Sequence, residues 1–345
     1  MKKIITATLF AAAASAAFPA ANDSVVKPSI KVSAEARMDY NYTAIDKHTD
    51  NSGSGFNANS VSLLLDGNLN KHFSYAFKHR FDKSVKDGNF LDATSWINLT
   101  YRPDDHWSFT AGKQVVAIGG FEYDRNPSDV YFASVFWNNI ACYQLGVNAR
   151  YDFSPADAVF FQVVQSPFHT SGNRNMYAYN LQWNGNHGIW HTQYSLNLSQ
   201  YHTGHYISYI SLGNRFTIDR FNLELDLMNR AARHQTFFFK DCSIMADAAY
   251  RATDWLRPFA KFTYDVNKEN YADLTVMPGT ELKTIGAGIE GWPLLKDNMQ
   301  VKVFAAACYS WGKNGAPEAL MCNKRFWLDI GVKWSMTIFD STRRK

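Results

Sequence analysis

Residues 325–339 decide the fold class, and they read Arg-Phe-Trp-Leu-Asp-Ile-Gly-Val-Lys-Trp-Ser-Met-Thr-Ile-Phe. Every second residue from Phe326 to Ile338 is large and apolar, whereas those between are polar or glycine, with Trp327 the one large exception. A period of two places alternate side chains on opposite faces of a β-strand, which a helix does not do. A strand of this length can cross the hydrocarbon core of a bilayer when it is tilted.

The same alternation recurs along the whole chain. It is clear in residues 31–40, 73–80, 144–153 and 221–230, where charged side chains stand on one face and apolar ones on the other. Counting such segments predicts about sixteen strands. They begin near residues 31, 56, 72, 92, 107, 144, 158, 177, 190, 206, 221, 243, 256, 282, 299 and 325.

The connections between these segments alternate between short and long. Short connections with turn-forming residues include 70–71, 102–106 and 154–157. The longer ones are 42–55, 82–91, 114–143, 231–242, 266–281 and 310–324. Short periplasmic turns and long external loops are typical of outer-membrane barrels. We therefore predict an all-β, transmembrane antiparallel β-barrel with both termini in the periplasm; a secreted β-sandwich or solenoid is the alternative.

The composition agrees with a barrel. Of the 345 residues, 46% are hydrophobic, 15% are aromatic and only 19% are charged. The charged fraction is below the roughly 25% of soluble globular proteins, and the aromatic content excludes a disordered chain. Beyond the N-terminus, no apolar run is long enough for a transmembrane helix.

The N-terminus carries an export signal. Residues 1–17 combine two lysines, a short apolar run and small residues at 14–16, which predicts a secretory signal peptide whose cleavage could extend to residue 21. The remaining residues, 22–345, are predicted to form a single barrel domain.

The polar faces would line a water-filled lumen, because the apolar faces must meet lipid. The basic candidates for pore-lining positions are Arg37, Lys78, Arg80, Arg150, Arg230, Arg251, Lys261, Lys302 and Lys333. Acidic residues are interspersed, with a slight basic excess, and such an excess in a narrow lumen favours anions. The alternative is that these charges pair across strands and only keep the lumen hydrated.

The connection at 114–143 is the most unusual one. It holds about thirty residues and ends in an apolar run at 130–137, which an exposed loop would not normally carry. We therefore predict that it folds inward and narrows the pore; burial between protomers is the alternative. Its charged residues, placed near the constriction, are Glu122, Asp124, Arg125 and Asp129.

Two segments resemble a known family. Residues 109–123, Phe-Thr-Ala-Gly-Lys-Gln-Val-Val-Ala-Ile-Gly-Gly-Phe-Glu-Tyr, resemble the Gly-Lys-Gln segment of the phosphate-selective porin O and P family, and residues 61–75 resemble its early hairpin. Where that family has Pro-Phe-Gly, this chain has Ala-Ile-Gly at 117–119. The resemblance implies a sixteen-stranded, usually trimeric porin with an inward third loop. It also adds Lys113, the lysine of Gly-Lys-Gln, to the pore-lining candidates.

Other chemistry is sparsely represented. Cys308 and Cys322 flank a loop with Gly and Pro and form a candidate disulfide, while no Cys-x-x-Cys occurs. The sequence offers neither a metal-ligand pattern, a nucleophile with an evident base, nor a basic cluster suited to nucleic acid. We therefore predict no cofactor, no metal, no enzymatic activity and no nucleic-acid partner.

Together these features predict a porin in the outer membrane of a Gram-negative bacterium. It would pass small polar solutes by diffusion with a mild preference for anions, which the family resemblance extends to phosphate. Its partners would be outer-membrane lipid, small anions or other small polar solutes, and further copies in a homotrimer. The alternatives are a closed-lumen receptor or structural barrel and a lipid-modifying barrel enzyme.

Overall fold

The computed structural model describes residues 27–83, 89–232, 240–296, 299–316 and 321–342, so the predicted signal peptide lies outside the described residues. Sixteen long strands form one antiparallel sheet, and the first strand pairs with the last along its length. The sheet is therefore a closed barrel, as predicted.

Every strand starts within two residues of its predicted position. The strands are β1 Lys31–Ile45, β2 Gly55–Asn68, β3 Phe73–Arg80, β4 Thr94–Tyr101, β5 Trp107–Val115, β6 Tyr143–Asp152, β7 Asp157–Gln165, β8 Tyr177–His187, β9 Trp190–His202, β10 His205–Ile218, β11 Phe221–Ala232, β12 Asp241–Tyr250, β13 Leu256–Asn267, β14 Thr280–Lys296, β15 Met299–Lys313 and β16 Arg325–Asp340. A two-residue piece, His48–Thr49, pairs with the end of β1.

The two faces of the sheet differ as the alternation predicts. On β1, Met38 and Tyr40 are 45% and 41% exposed, whereas Arg37 and Asp39 are each 2% exposed. Directly paired residues on neighbouring strands share a face, so the pattern continues around the barrel. The apolar face points outward and the polar face encloses the lumen.

The two ends of the barrel are unequal. One end carries short turns such as 69–72, 102–106 and 219–220, and the other carries longer loops such as 81–93, 116–142 and 268–279. Lys31 pairs with Asp340, so the chain enters and leaves the barrel at the short-turn end. Within the described ranges, the helical pieces are Phe90–Asp92, Pro127–Asp129 and α1 Val135–Asn139. None of the described helices is long and apolar enough to cross a membrane.

The buried apolar core lies inside the barrel and is built around the loop 116–142. In one cluster, Ile118 and Phe136 of the loop pack with wall residues such as Ile207 and Tyr209. In a second cluster, Tyr131 and Phe132 pack against Phe304, Ala306 and Cys308 of β15. The apolar run at 130–137, which an exposed loop would not normally carry, is therefore buried against the inner wall.

Candidate channel constriction

The loop 116–142 is fixed to the wall where it leaves β5. The Ala117 N–H donates to Gln162 Oε1 at 2.8 Å, and Asn197 Nδ2 donates to the Ala117 carbonyl at 2.7 Å. Gly119 follows with a φ of +81°, and a Cβ there would lie 2.9 Å from Ser195 Oγ. Both the left-handed backbone and the close approach require glycine at this position.

Two neighbouring residues of the loop reach opposite walls. Arg125 forms ion pairs with Glu224 of β11 and, at 2.9 Å, with Asp247 of β12. Asn126 donates from Nδ2 to Glu35 Oε2 of β1 at 3.0 Å and accepts from Lys78 Nζ of β3 at 3.2 Å. β3 and β11 are eight strands apart in a barrel of sixteen, so the loop crosses the lumen at this level.

Asp129 binds the loop to β15 and β16, which lie on the opposite side of β1 from β3. Its carboxylate lies 2.6 Å from Lys302 Nζ of β15 and 2.8 Å from Lys333 Nζ of β16. Lys302 also contacts Glu290 at 2.8 Å, and Lys333 contacts Glu35 at 3.1 Å. Burial alone would raise the pKa of Asp129, but the two lysine charges outweigh it and hold that pKa at about 2.

Both halves of the loop are also fixed to β13. Glu122 lies 2.6 Å from Lys261 Nζ and accepts from the Ser134 N–H at 3.0 Å. The Val135 N–H, at the start of α1, donates to Asp265 Oδ2 at 2.8 Å. Asp124, by contrast, is exposed and accepts from Gln193 Nε2 at 2.8 Å. Charged groups of the loop and wall thus hold the loop across the lumen.

Two of the predicted pore-lining arginines are buried in protein. Arg37 forms ion pairs with Asp39 and Asp329, donates to the Val130 carbonyl at 2.7 Å, and lies over the rings of Tyr131 and Phe304.

Arg230 has no exposed surface and forms ion pairs with Asp241 of β12 and Asp273 of the loop 268–279. Arg37 therefore binds the loop 116–142 and Arg230 binds the loop 268–279, and neither side chain faces open water.

A cavity of about 830 Å³ lies between the loop and the short-turn end of the barrel. Its basic lining residues are Arg125, Arg215, Arg220, Arg251, Arg257, Lys261, Lys302 and Lys333. Its acidic lining residues are Glu35, Asp129, Asp219, Glu224, Asp247 and Glu290. The lining therefore carries eight basic and six acidic residues, an excess of two positive charges. We call this space the vestibule.

Most vestibule charges are engaged in ion pairs. Arg257 contacts Glu290 at 2.7 Å, and Arg215 contacts Glu224 at 2.9 Å. For Arg220 and Arg251, no carboxylate among the described residues lies within ion-pair distance. The sequence pattern does not predict a lumenal position for Arg220, because Arg220 lies in the two-residue turn between β10 and β11, where the alternation of a strand no longer applies.

The prediction that Lys113 lines the pore is wrong. Lys113 pairs directly with Ile97 and Leu145, which are 43% and 40% exposed on the outer face. Its Nζ donates to the Leu91 carbonyl in the loop 81–93 at 2.6 Å. The motif position suggested the lumen, but the pleat of β5 turns Phe109, Ala111 and Lys113 outward together.

Arg80 and Arg150 lie on the lumenal face near opposite ends of the barrel. Each pairs with a carboxylate two residues along its own chain, Asp82 and Asp152 respectively. They are therefore away from the crossing loop.

The structure contradicts the candidate disulfide. Cys308 and Cys322 are both free thiols. Cys308 is paired with Trp327 across β15 and β16, and its side chain packs against Tyr131 and Phe132. The Cys322 carbonyl instead accepts from Ser310 Oγ, two residues beyond Cys308, so the two cysteines occupy different levels of the barrel.

Comparisons with known proteins agree with this geometry. Residues 30–188 match the sequence profile of the family "Phosphate-selective porin O and P". A search of curated protein sequences found no match.

Solved outer-membrane proteins share the fold at low sequence identity. The channel DcaP of Acinetobacter baumannii is 12% identical with a TM-score of 0.66, over 92% of this chain and 100% of that one. An anion-selective porin from Comamonas acidovorans is 11% identical with a TM-score of 0.64, over 90% and 100%. OmpT of Vibrio cholerae, solved in a trimer form, is 13% identical with a TM-score of 0.58, over 90% and 99%. The closed sixteen-stranded barrel therefore has the fold of these outer-membrane proteins, and residues 30–188 are similar to the phosphate-selective porin O and P family.

Proposed function

We propose that the chain is a passive diffusion channel for small polar solutes with a mild preference for anions. The vestibule carries the proposal, because its lining has eight basic and six acidic residues. Two of its arginines, Arg220 and Arg251, form no ion pair with a carboxylate of the described part of the chain. A small excess of one charge inside a low-dielectric wall raises the local concentration of the opposite ion. Because most of the other cations are paired, the expected preference is modest.

Single-channel recording in a planar bilayer under a KCl gradient tests this proposal. A steady conductance with a reversal potential on the chloride side supports it. Phosphate, added afterwards at equal ionic strength, separates a general anion preference from a phosphate site, since only a site would reduce the chloride current at millimolar concentration. A potassium-selective current would contradict the anion preference.

The crossing loop favours a second candidate, a barrel with a closed lumen that acts as a receptor or a structural element. Arg125 and Asn126 contact opposite walls, and the loop is fixed by hydrogen bonds and ion pairs along its length. Correctly folded protein that inserts into the bilayer without conductance would favour this candidate over the channel. We also propose that a signal peptide precedes the barrel and that the protein is not an enzyme.

A further inference from the structure

The vestibule combines an arc of arginines with accessible aromatic rings. Going around the wall, Arg220 follows β10, Arg251 follows β12, Arg257 lies on β13, and Trp292 lies on β14. The Arg251 N–H donates to the Arg220 carbonyl at 2.9 Å, so these two residues are adjacent. The Trp292 N–H donates to the Trp255 carbonyl at 2.8 Å, which brings the end of β14 against the turn that carries Arg251.

The guanidinium groups of this arc are accessible to a ligand. Arg251 is exposed, as is Arg220, whose Nη1 donates to the Ala252 carbonyl at 3.3 Å. Arg257 contacts Glu290 at 2.7 Å, yet its side chain remains 30% exposed. Asp219, in the same turn as Arg220, also lines the vestibule. A guanidinium presents a planar fork of donors that matches a carboxylate with two parallel hydrogen bonds.

The aromatic side lies next to these arginines. Trp292 and Phe259 are half-buried and line the vestibule, and Phe259 stacks on Tyr131 with ring centroids 5.5 Å apart. Lys302 Nζ lies 6.0 Å from the Trp292 ring. A lumen that only passes compact ions needs a hydrated polar wall, whereas an accessible indole beside free guanidinium groups fits a flat apolar ring that carries a negative charge.

We propose that the vestibule is a binding site for planar aromatic carboxylates. The ring would stack on Trp292 and Phe259, while the carboxylate would accept hydrogen bonds from Arg251 and Arg220. This proposal rests on the proposed channel function, because the solute must enter the lumen to reach the site. It names a class of solute that a general anion preference does not distinguish from chloride or phosphate.

Block of the chloride current by benzoate tests the proposal in the full-length channel. We expect benzoate to reduce the current at a concentration about threefold to tenfold lower than cyclohexanecarboxylate, because the saturated ring has the same charge but no π face. Inorganic phosphate at equal ionic strength should be a weaker blocker than benzoate. Equal potency of benzoate and cyclohexanecarboxylate would overturn the aromatic part of the proposal.

Two variants test the contact with the aromatic ring and the contact with the carboxylate separately. Trp292→Ala should remove the preference for benzoate over cyclohexanecarboxylate, and Arg251→Gln should weaken the block by both. Trp255→Ala and Arg102→Gln are matched controls, because both residues are exposed at short turns and neither lines the vestibule. Loss of the benzoate preference in Trp255→Ala as well would contradict the site. A wild-type channel without KCl conductance would refute the proposed function itself, whereas normal conductance without benzoate block would refute only this site.

Discussion

At the scale of single residues, Asp129 reduces the net positive charge that the wall lysines give the lumen. Its single carboxylate forms ion pairs with both Lys302 and Lys333, which belong to two different strands. Asp129→Asn should leave both lysines with one fewer negative partner and raise the chloride-to-potassium permeability ratio about twofold. Reversal potentials under a KCl gradient measure this ratio. Asp219→Asn is the control, because it removes the same charge from the vestibule without releasing a lysine; a larger effect in the control would contradict the assignment.

The pH dependence of the ion selectivity provides a second test of the ion pairs of Asp129. Its pKa of about 2 lies below the ordinary value of 3.8, so its stabilising ion pairs are fully present above about pH 4 and are lost as the pH falls through about 2. The difference in selectivity between wild type and Asp129→Asn should therefore persist from pH 7 to pH 4 and disappear near pH 2. Disappearance of that difference already at pH 5 would mean that the lysines do not hold the carboxylate in its ionised form.

Lys113 provides the opposite kind of test, because the structure places it outside the lumen. Lys113→Met should leave the permeability ratio unchanged, since the side chain contacts the Leu91 carbonyl on the outer face. Arg251→Gln, which removes an exposed cation from the vestibule, should lower the same ratio about twofold. A loss of anion preference in Lys113→Met would place this lysine on the ion path after all.

At the scale of elements, the loop 116–142 controls the open cross-section of the lumen. Deleting residues 120–136 removes Arg125, Asp129 and the aromatic pair Tyr131 and Phe132, all of which lie inside the barrel. Single-channel conductance should rise severalfold, because resistance falls as the narrowest section widens. Retained resistance to unfolding in unheated detergent gels would establish that the barrel still forms. Unchanged conductance in such a folded variant would show that the loop does not limit the current.

The sequence could predict the strands but not the partners of the loop. Alternation along Phe326 to Ile338 is a local property, so strand position and facing follow from neighbours in the chain. Arg125 and Glu224 are 99 residues apart, and only closure of the barrel brings them together. The motif predicts the wrong face for Lys113, whereas the alternation of Phe109 and Ala111 with their polar neighbours indicates the outer face.

At the scale of the whole molecule, the height of the wall varies around the barrel. β3 and β4 have 8 residues each, whereas β14 and β16 have 17 and 16. A transmembrane strand needs about 9–11 residues to cross the hydrocarbon core. The wall is therefore lowest at β3 and β4, and we expect this part of the barrel to contact neighbouring protomers in the homotrimer that the family resemblance implies.

Spin labels on the two walls test this arrangement. Leu99 on β4 and Leu225 on β11 face outward with nearly equal exposure, 39% and 40%, so cysteines there form a matched pair. The four native cysteines would first be replaced by alanine. In the purified oligomer, labels at position 99 should lie close to one another across the protomer interface, whereas labels at position 225, on the far wall, should lie much farther apart. Equal distances, or a shorter distance at position 225, would mean that the low wall is not the interface, and a monomer would contradict the trimer itself.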